Sequence, residues 1–150
     1  TGAASVGWAR GVYPTRATAQ AALDDGALFV LTDDGVLTAA GRIDRTQVPV
    51  YAQVPWQYAA PPEQVLVLHT LVVDPAAAGH GYGTQFVRFY AQRARALGCT
   101  VLRIDTNAKN TAARRLYARL GFREAAIVPC TFNGIAGVAL ACLEKRLDAE

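Results

Sequence analysis

The chain has 150 residues, about the length of one domain, and we expect residues 1–150 to form a single domain. Hydrophobic residues make up 52% of the sequence and charged residues 18%, with a net charge of +3, which excludes a disordered chain. No apolar run approaches the roughly 20 residues that span a bilayer. The three cysteines are odd in number and lack metal-ligand spacing. We therefore expect a cytoplasmic protein without a metal or membrane contact.

The positive charge is concentrated in one segment. Nine basic residues and one acidic residue lie between Ala78 and Arg123, so this segment carries +8 and the remainder −5. A polyanion would be attracted to the positive segment, although arginine-rich helices with solvated outer faces explain the same pattern. No aromatic residues are interleaved with the basic ones, and we expect no nucleic-acid binding.

A helix and a hairpin are predicted first. Thr15–Asp25 is predicted to be a helix, because Thr15 can cap it and Gly26 can end it. The apolar runs Ala27–Thr32 and Val36–Ile43 are predicted strands, and the Asp-Asp-Gly sequence between them favours a tight hairpin turn.

An irregular loop then precedes a buried strand. Thr46–Pro62 contains four prolines and three large aromatic residues, which favours a loop of restricted freedom. Gln64–Val73 is almost entirely apolar, and this is typical of a strand buried on both faces.

The second half of the chain alternates helices and strands. The predicted elements are a helix from the glycine-rich turn to Leu97, a strand at Thr100–Thr106, a helix at Asn110–Leu120, and strands at Arg123–Val128 and Ile135–Lys145. This order predicts an α/β fold with a mixed central sheet and flanking helices.

The turn between the buried strand and the next helix contains three glycines, Gly79, Gly81 and Gly83. A strand, a glycine-rich turn and a helix together can bind phosphate, because backbone N–H groups of the first helical turn point outward. The spacing fits neither the dinucleotide-binding fingerprint nor the P-loop, which requires a lysine. A plain tight turn is the alternative interpretation.

The longer run Leu71-x-Val73-x-Pro75-x-x-x-Gly79-x-Gly81-x-Gly83 resembles the GNAT superfamily of acyl-CoA-dependent N-acyltransferases. In that family the strand is followed by a Gln/Arg-x-x-Gly-x-Gly/Ala turn that binds the pyrophosphate of coenzyme A. Here the first position of the turn is Ala78, a departure that removes one side-chain contact and leaves the backbone donors.

A second segment is similar to the same family. The residues Asn110-x-x-Ala113-x-x-x-Tyr117-x-x-x-Gly121-Phe122 match its Asn-x-x-Ala-x-x-x-Tyr-x-x-x-Gly-Phe pattern. On a helix, the first three of these positions share one face. A helix-capping Asn110 and a core-facing Tyr117 are the alternatives. The family's first strand and helix are not evident before Tyr13, so we expect them to be missing or replaced by Val6–Val12.

The resemblance implies a GNAT-like sheet, mostly antiparallel with one splayed parallel pair, and direct transfer of an acetyl group from acetyl-CoA to an amine. It also implies a set of residues in contact with acetyl-CoA: Leu71, Val72, Val73, Ala78, Gly79, His80, Gly81, Tyr82, Gly83, Thr84, Asn110, Ala113 and Tyr117. Backbone N–H groups of Leu71–Val73 would stabilise the oxyanion. Tyr117 would protonate the leaving thiolate, since its ordinary pKa near 10 suits that role.

The remaining roles are hypotheses from residue type and position. His69 is two residues before Leu71 and is the candidate general base; a histidine hydrogen-bonded across the sheet is the alternative. Glu63, Asp105 and Glu144 are other carboxylates that could reach the cleft. 

The loop aromatics Tyr51 and Trp56 are candidates to bind the acceptor; packing on the sheet or a dimer contact would explain them equally. We expect a small amine as acceptor, with a homodimer left open. The other functions considered are a non-catalytic CoA sensor and an acetyltransferase of protein N-termini or lysines.

Overall fold

The computed structural model describes residues 27–75, 79, 81–132 and 135–147. The predicted helix Thr15–Asp25 and the segment Val6–Val12 lie outside these residues, as do Ala78 and His80 of the turn. Neither α-helix in the described part of the chain is long and apolar enough to cross a membrane.

Six strands form one mixed sheet in the order β1-β2-β3-β4-β6-β5. They are β1 (Leu28–Asp33), β2 (Val36–Asp44), β3 (Val65–Val73), β4 (Val101–Asn107), β5 (Arg123–Phe132) and β6 (Ile135–Arg146). The strands β3 and β4 are parallel because helix α1 (Tyr82–Ala96) crosses between them. The predicted fold class is therefore confirmed.

The β1–β2 hairpin forms as its turn sequence predicts. Asp34 and Gly35 both have positive φ, 51° and 77°, as a two-residue turn matched to the twist of the strands requires. The antiparallel pairing runs from Leu28 opposite Arg42 to Asp33 opposite Val36, with one irregularity after Leu31.

Burial and backbone conformation both change in the middle of strand β3. Val65–Leu68 are buried, whereas the residues from His69 to Val73 are only half-buried. Thr70 has a φ of 54°, a left-handed conformation that is uncommon for a non-glycine residue and costs energy. The prediction of burial on both faces thus holds only for the first half of the strand. The regular alternation that would place His69 on the face of Leu71 is interrupted at Thr70.

The two helices begin and end close to the predicted positions. Helix α1 buries Phe86, Tyr90 and Ala94 on one face, as their spacing requires. Helix α2 (Thr111–Arg119) is capped by Asn110, and the chain leaves it through Gly121.

The chain divides into two compact units, with boundaries inside β3 and α1. The first contains residues 27–44 and Leu68–Tyr90. In this unit Phe86 stacks edge-on with Phe89, which also contacts Phe29.

The second unit contains Arg45–Val67 and residues 91–147. Its loop includes the short 3-10 helices Pro49–Gln53 and Pro62–Gln64. Strand β5 continues to Phe132, beyond the predicted end at Val128, because it pairs with β6 as far as Ile135. The core of this unit is formed by Tyr51, Val54, Val65, Val67, Val101, Val128, Leu140 and Cys142.

Candidate active site

In the first unit, the glycine-rich turn presents backbone donors at the start of α1. Gly79 and Gly81 have φ values of 86° and 76°, which L-residues rarely adopt. A Cβ atom at either position would meet nothing within 4 Å, so these glycines face open space. The first intrahelical bond runs from Gln85 N–H to the Gly81 carbonyl. The N–H groups of the first turn therefore need an acceptor from outside the helix.

The side chain of Tyr82, the first residue of α1, is hydrogen-bonded to the β1–β2 hairpin. Its hydroxyl donates to Asp33 Oδ2 over 2.6 Å, and this bond raises the pKa of the phenol above its usual value of 10. The first turn of α1 contains no acidic residue. Its electrostatic character thus comes from the backbone N–H groups and the helix dipole, both favourable to an anion.

His69 belongs to a polar group at the middle of β3. Its Nε2 lies 2.8 Å from Asp44 Oδ1, and Arg42 Nε donates to the other oxygen, Asp44 Oδ2, over 2.7 Å. The contact bears out the alternative of a histidine hydrogen-bonded across the sheet. It also provides the arrangement of a base oriented by a carboxylate. Leu71–Val73 follow directly after the left-handed Thr70.

In the second unit, Asn110 is the N-cap of α2. Its Oδ1 accepts a hydrogen bond from Ala113 N–H over 3.1 Å, the bond expected of a capping asparagine. The side-chain NH2 group is then the donor that this exposed residue can offer to a ligand.

Tyr117 points into the core of its unit. It is only 4% exposed, and its ring packs against Phe122 at a centroid distance of 5.9 Å. Burial, followed by the negative charge of Asp105, raises the pKa of Tyr117 well above its usual value of 10. The premise of an ordinary tyrosine pKa is therefore wrong, because desolvation penalises the phenolate.

Asp105, in the second half of β4, accepts a hydrogen bond from Tyr51. The Tyr51 hydroxyl donates to Asp105 Oδ2 over 2.7 Å, and Tyr51 is only 2% exposed. Tyr51 is thus a core residue that orients a carboxylate, as well as part of the aromatic loop.

The indole of Trp56, a candidate to bind the acceptor, already makes several contacts within the protein. Its Nε1 donates to the Tyr51 carbonyl over 3.0 Å, and its ring stands edge-on to Tyr51. The guanidinium of Arg103 lies 4.4 Å from the ring centroid. Trp56 therefore already makes a cation–π contact with an arginine of its own chain.

Comparison with known proteins identifies the family. Residues 4–122 match the model of the acetyltransferase (GNAT) family, which is more than half of the chain. The chain belongs to the GNAT family. No curated protein sequence matches it as a relative.

Solved acetyltransferase structures share the fold at low sequence identity. A GNAT-family acetyltransferase from Streptococcus agalactiae 2603 has a TM-score of 0.77 at 18% identity, over 91% of this chain and 75% of that one. The yncA protein of Salmonella typhimurium, solved with its cofactor acetyl-CoA, has a TM-score of 0.66 at 22% identity, over 90% and 73%. The ribosomal-protein-S18-alanine N-acetyltransferase of Escherichia coli has a TM-score of 0.70 at 19% identity, over 99% and 87%.

The GNAT chain contains site residues that sequence reasoning missed. Asp44 beside His69 had no signal, because 25 residues separate them and only the folded sheet brings them together. Arg103 was counted as part of a charged segment, yet it is buried against Trp56. Glu144, a candidate base, is fully buried and accepts bonds from the backbone of Gln57 and Tyr58, which occupies its carboxylate.

Proposed function

We propose that the protein is an acetyl-CoA-dependent N-acetyltransferase that transfers the acetyl group directly to the amine of a small molecule. The observation that carries this proposal is strand β3 with its left-handed residue Thr70, followed by the turn with Gly79 and Gly81 and the start of α1. Family membership and the acetyl-CoA in the yncA structure support it. Acetyl-CoA would supply the activated acetyl group, and the residues of this chain would bind and orient it.

The turn fits a pyrophosphate in two respects. Open space lies where Cβ atoms of Gly79 and Gly81 would be, and the first turn of α1 offers the N–H groups of Gly83 and Thr84. Ala78 and His80 complete this turn in the sequence. On α2, the exposed Asn110 would donate its side-chain NH2 group to the cofactor, beside Ala113.

The strand Leu71–Val73 would stabilise negative charge on the carbonyl oxygen of the thioester. A left-handed residue within a strand disrupts the local ladder and turns the following N–H groups. Thr70 has this conformation directly before Leu71. Backbone donors fixed in such positions stabilise an oxyanion without reorganisation during the reaction.

His69 would accept the proton from the amine. A carboxylate can only accept hydrogen bonds, so the bond to Asp44 places the proton of neutral His69 on Nε2 and leaves Nδ1 as the acceptor. Asp44 also stabilises the protonated imidazole that results. Arg42 in turn holds the second oxygen of Asp44.

Tyr117 would donate a proton to the sulfur as the bond from carbon to sulfur breaks. Its raised pKa keeps the hydroxyl protonated at neutral pH. The same raised pKa makes the phenol a weaker acid, so donation would occur late, when the sulfur carries most of its negative charge.

The acceptor would bind beside the loop that carries Tyr51 and Trp56. Their mutual contacts and the prolines of the loop favour a shaped wall. Such a wall suits a small amine better than an extended peptide, and we expect the protein to act in the cytoplasm.

The direct experiment measures acetyl-CoA binding by thermal shift and then thiol release with a panel of amines. The panel should include small polyamines, aromatic amines and peptides with N-terminal alanine or internal lysine. We expect stabilisation by acetyl-CoA and thiol release with at least one small amine. Release with peptides alone would favour the protein acetyltransferase. Binding without release for every amine would favour the non-catalytic sensor.

A further inference from the structure

A row of three charged side chains crosses the second unit on neighbouring strands. Arg103 of β4 and Arg123 of β5 both stand opposite Glu144 of β6 in the pairing register. Glu144 is 0% exposed and Arg103 only 7%, whereas Arg123 is partly exposed and donates to Glu144 Oε2. We call Arg103, Glu144 and Arg123 the charge row.

The charge row binds the backbone of one loop. The N–H groups of Gln57 and Tyr58 donate to the two oxygens of Glu144 over 2.8 and 2.9 Å. Arg103 donates to the Tyr58 carbonyl over 3.0 Å and to Gln47 Oε1 over 2.6 Å. Residues 47–58, which we call the anchored loop, are thus fixed near both ends.

Burying the charges of Arg103 and Glu144 costs free energy, and their hydrogen bonds to the loop backbone indicate what they contribute in return. Burial lowers the pKa of Arg103 below its usual value, which reflects the desolvation penalty on its charged form. Apolar side chains of similar size often fill such a position at no loss of stability. Only hydrogen-bonding groups can specify the direction of a loop backbone, and the charge row bonds both the N–H and the carbonyl of Tyr58.

The anchored loop is connected to the proposed proton donor, Tyr117, through Asp105. Its residue Tyr51 donates to Asp105, and the charge of Asp105 contributes to the raised pKa of Tyr117. Its residue Trp56 lies between Tyr51 and Arg103. The loop conformation therefore determines both the aromatic wall and the position of a carboxylate close to Tyr117.

We propose that Glu144 and Arg103 are positioning residues that fix the anchored loop in the shape that binds the acceptor amine. The proposal rests on the proposed function, because it assigns the loop to the acceptor side of an N-acetyltransferase. Both side chains are buried and bonded to the loop, so in this proposal they act through the loop and not on the reacting atoms. The charge row therefore acts on binding of the amine and leaves binding of acetyl-CoA unchanged.

The main test compares Glu144→Gln with Arg146→Gln, which removes an exposed charge from the same strand. The amide of Gln can accept only one of the two loop N–H groups at its oxygen and presents NH2 to the other. We expect amide hydrogen exchange at Gln57 and Tyr58 to become about tenfold faster or more, since a hydrogen bond to a charged group is lost. The KM for the amine should rise by a similar factor, with the KM for acetyl-CoA unchanged. Arg146→Gln should alter none of these values.

A milder variant covers the case in which Glu144→Gln does not fold. Arg123→Gln removes only the partly exposed partner of Glu144 and should change the same two measurements in the same direction by a smaller factor. Circular dichroism establishes that each variant is folded.

Three results would overturn the proposal. Unchanged exchange at Gln57 and Tyr58 in a folded variant would mean that the charge row does not hold the loop. Faster exchange with an unchanged KM for the amine would mean that the loop does not shape the acceptor site, while the proposed transfer reaction would stand. Equal increases in both KM values would indicate a general structural defect. Failure of the proposed function itself is distinguishable, since the wild-type protein would then release no thiol with any amine.

Discussion

Replacing Gly81 with alanine directly tests the proposal that the glycine-rich turn binds phosphate. Gly81 has a φ of 76°, where an L-residue costs about 1–2 kcal/mol. No atom lies within 4 Å of the added Cβ, so no steric clash adds to this cost in the ligand-free protein. For a chain of this length the variant should lose about 2–8 °C in Tm.

Gly98 offers a matched control at the other end of α1. Its φ is 77°, and its surroundings are equally open. Gly98→Ala should therefore cost the same in Tm as Gly81→Ala without placing a methyl group near the cofactor. Comparing the two variants separates the loss of Tm that backbone strain causes from the loss of stabilisation by acetyl-CoA.

The ligand-dependent shift is the decisive measurement. Acetyl-CoA at 100 times its Kd should add about 2.7 kcal/mol to the wild-type protein, or about 5–11 °C for this length. We expect Gly98→Ala to keep this shift and Gly81→Ala to lose most of it, because its methyl group occupies the space left for the pyrophosphate. An equal shift in the two variants would place the cofactor elsewhere and refute the assignment of the turn.

The other predictions concern proton transfer. Tyr117→Phe keeps the ring packed on Phe122 and should lower kcat by about 10²–10⁴, with the thermal shift by acetyl-CoA retained; unchanged turnover in a chemistry-limited assay would make Tyr117 a packing residue. Since the pKa of Tyr117 is raised above 10, the wild-type kcat should show no decline from this group as pH rises to about 10. His69→Gln should lower kcat at neutral pH by about 10²–10⁴, and Asp44→Asn should lower it by less, with the KM for acetyl-CoA unchanged in both. Full activity of His69→Gln would exclude it as the base and favour Asp105.

Local features of the fold could be predicted from the sequence because their causes lie within a few residues. The hairpin depends on Asp34 and Gly35, whose positive φ values are a property of the turn itself. The N-cap at Asn110 and the end of α2 at Gly121 depend equally on neighbouring residues. The order of helices and strands followed from such signals.

The polar groups of the site could not be predicted, because they depend on contacts between distant residues. Asp44 meets His69 across 25 positions, and Glu144 meets the backbone of Gln57 across 87. A spacing pattern contains no information on such pairs. The raised pKa of Tyr117 also escaped prediction, since it arises from burial and from Asp105 on another element.

The contacts of the arginines bear on which groups would bind an anion under the proposed function. The segment from Ala78 to Arg123 has a surplus of positive charge, yet several of its arginines are already committed. Arg103 is buried beneath the anchored loop, Arg123 is paired with Glu144, and Arg114 donates two hydrogen bonds to Glu124. Arg123 and Arg114 are thus paired with carboxylates, and the guanidinium of Arg103 donates to Gln47 and to the Tyr58 carbonyl.

The first turn of α1, by contrast, contains no acidic residue that could cap its backbone N–H groups. The family's usual Gln or Arg is replaced by Ala78 in this chain, so under the proposed function the donors would come from the first turn of α1. Affinity for the pyrophosphate should then depend on the conformation at Gly79 and Gly81 more than on any cationic side chain. A glycine substitution in the turn is consequently a sharper perturbation than removal of an arginine.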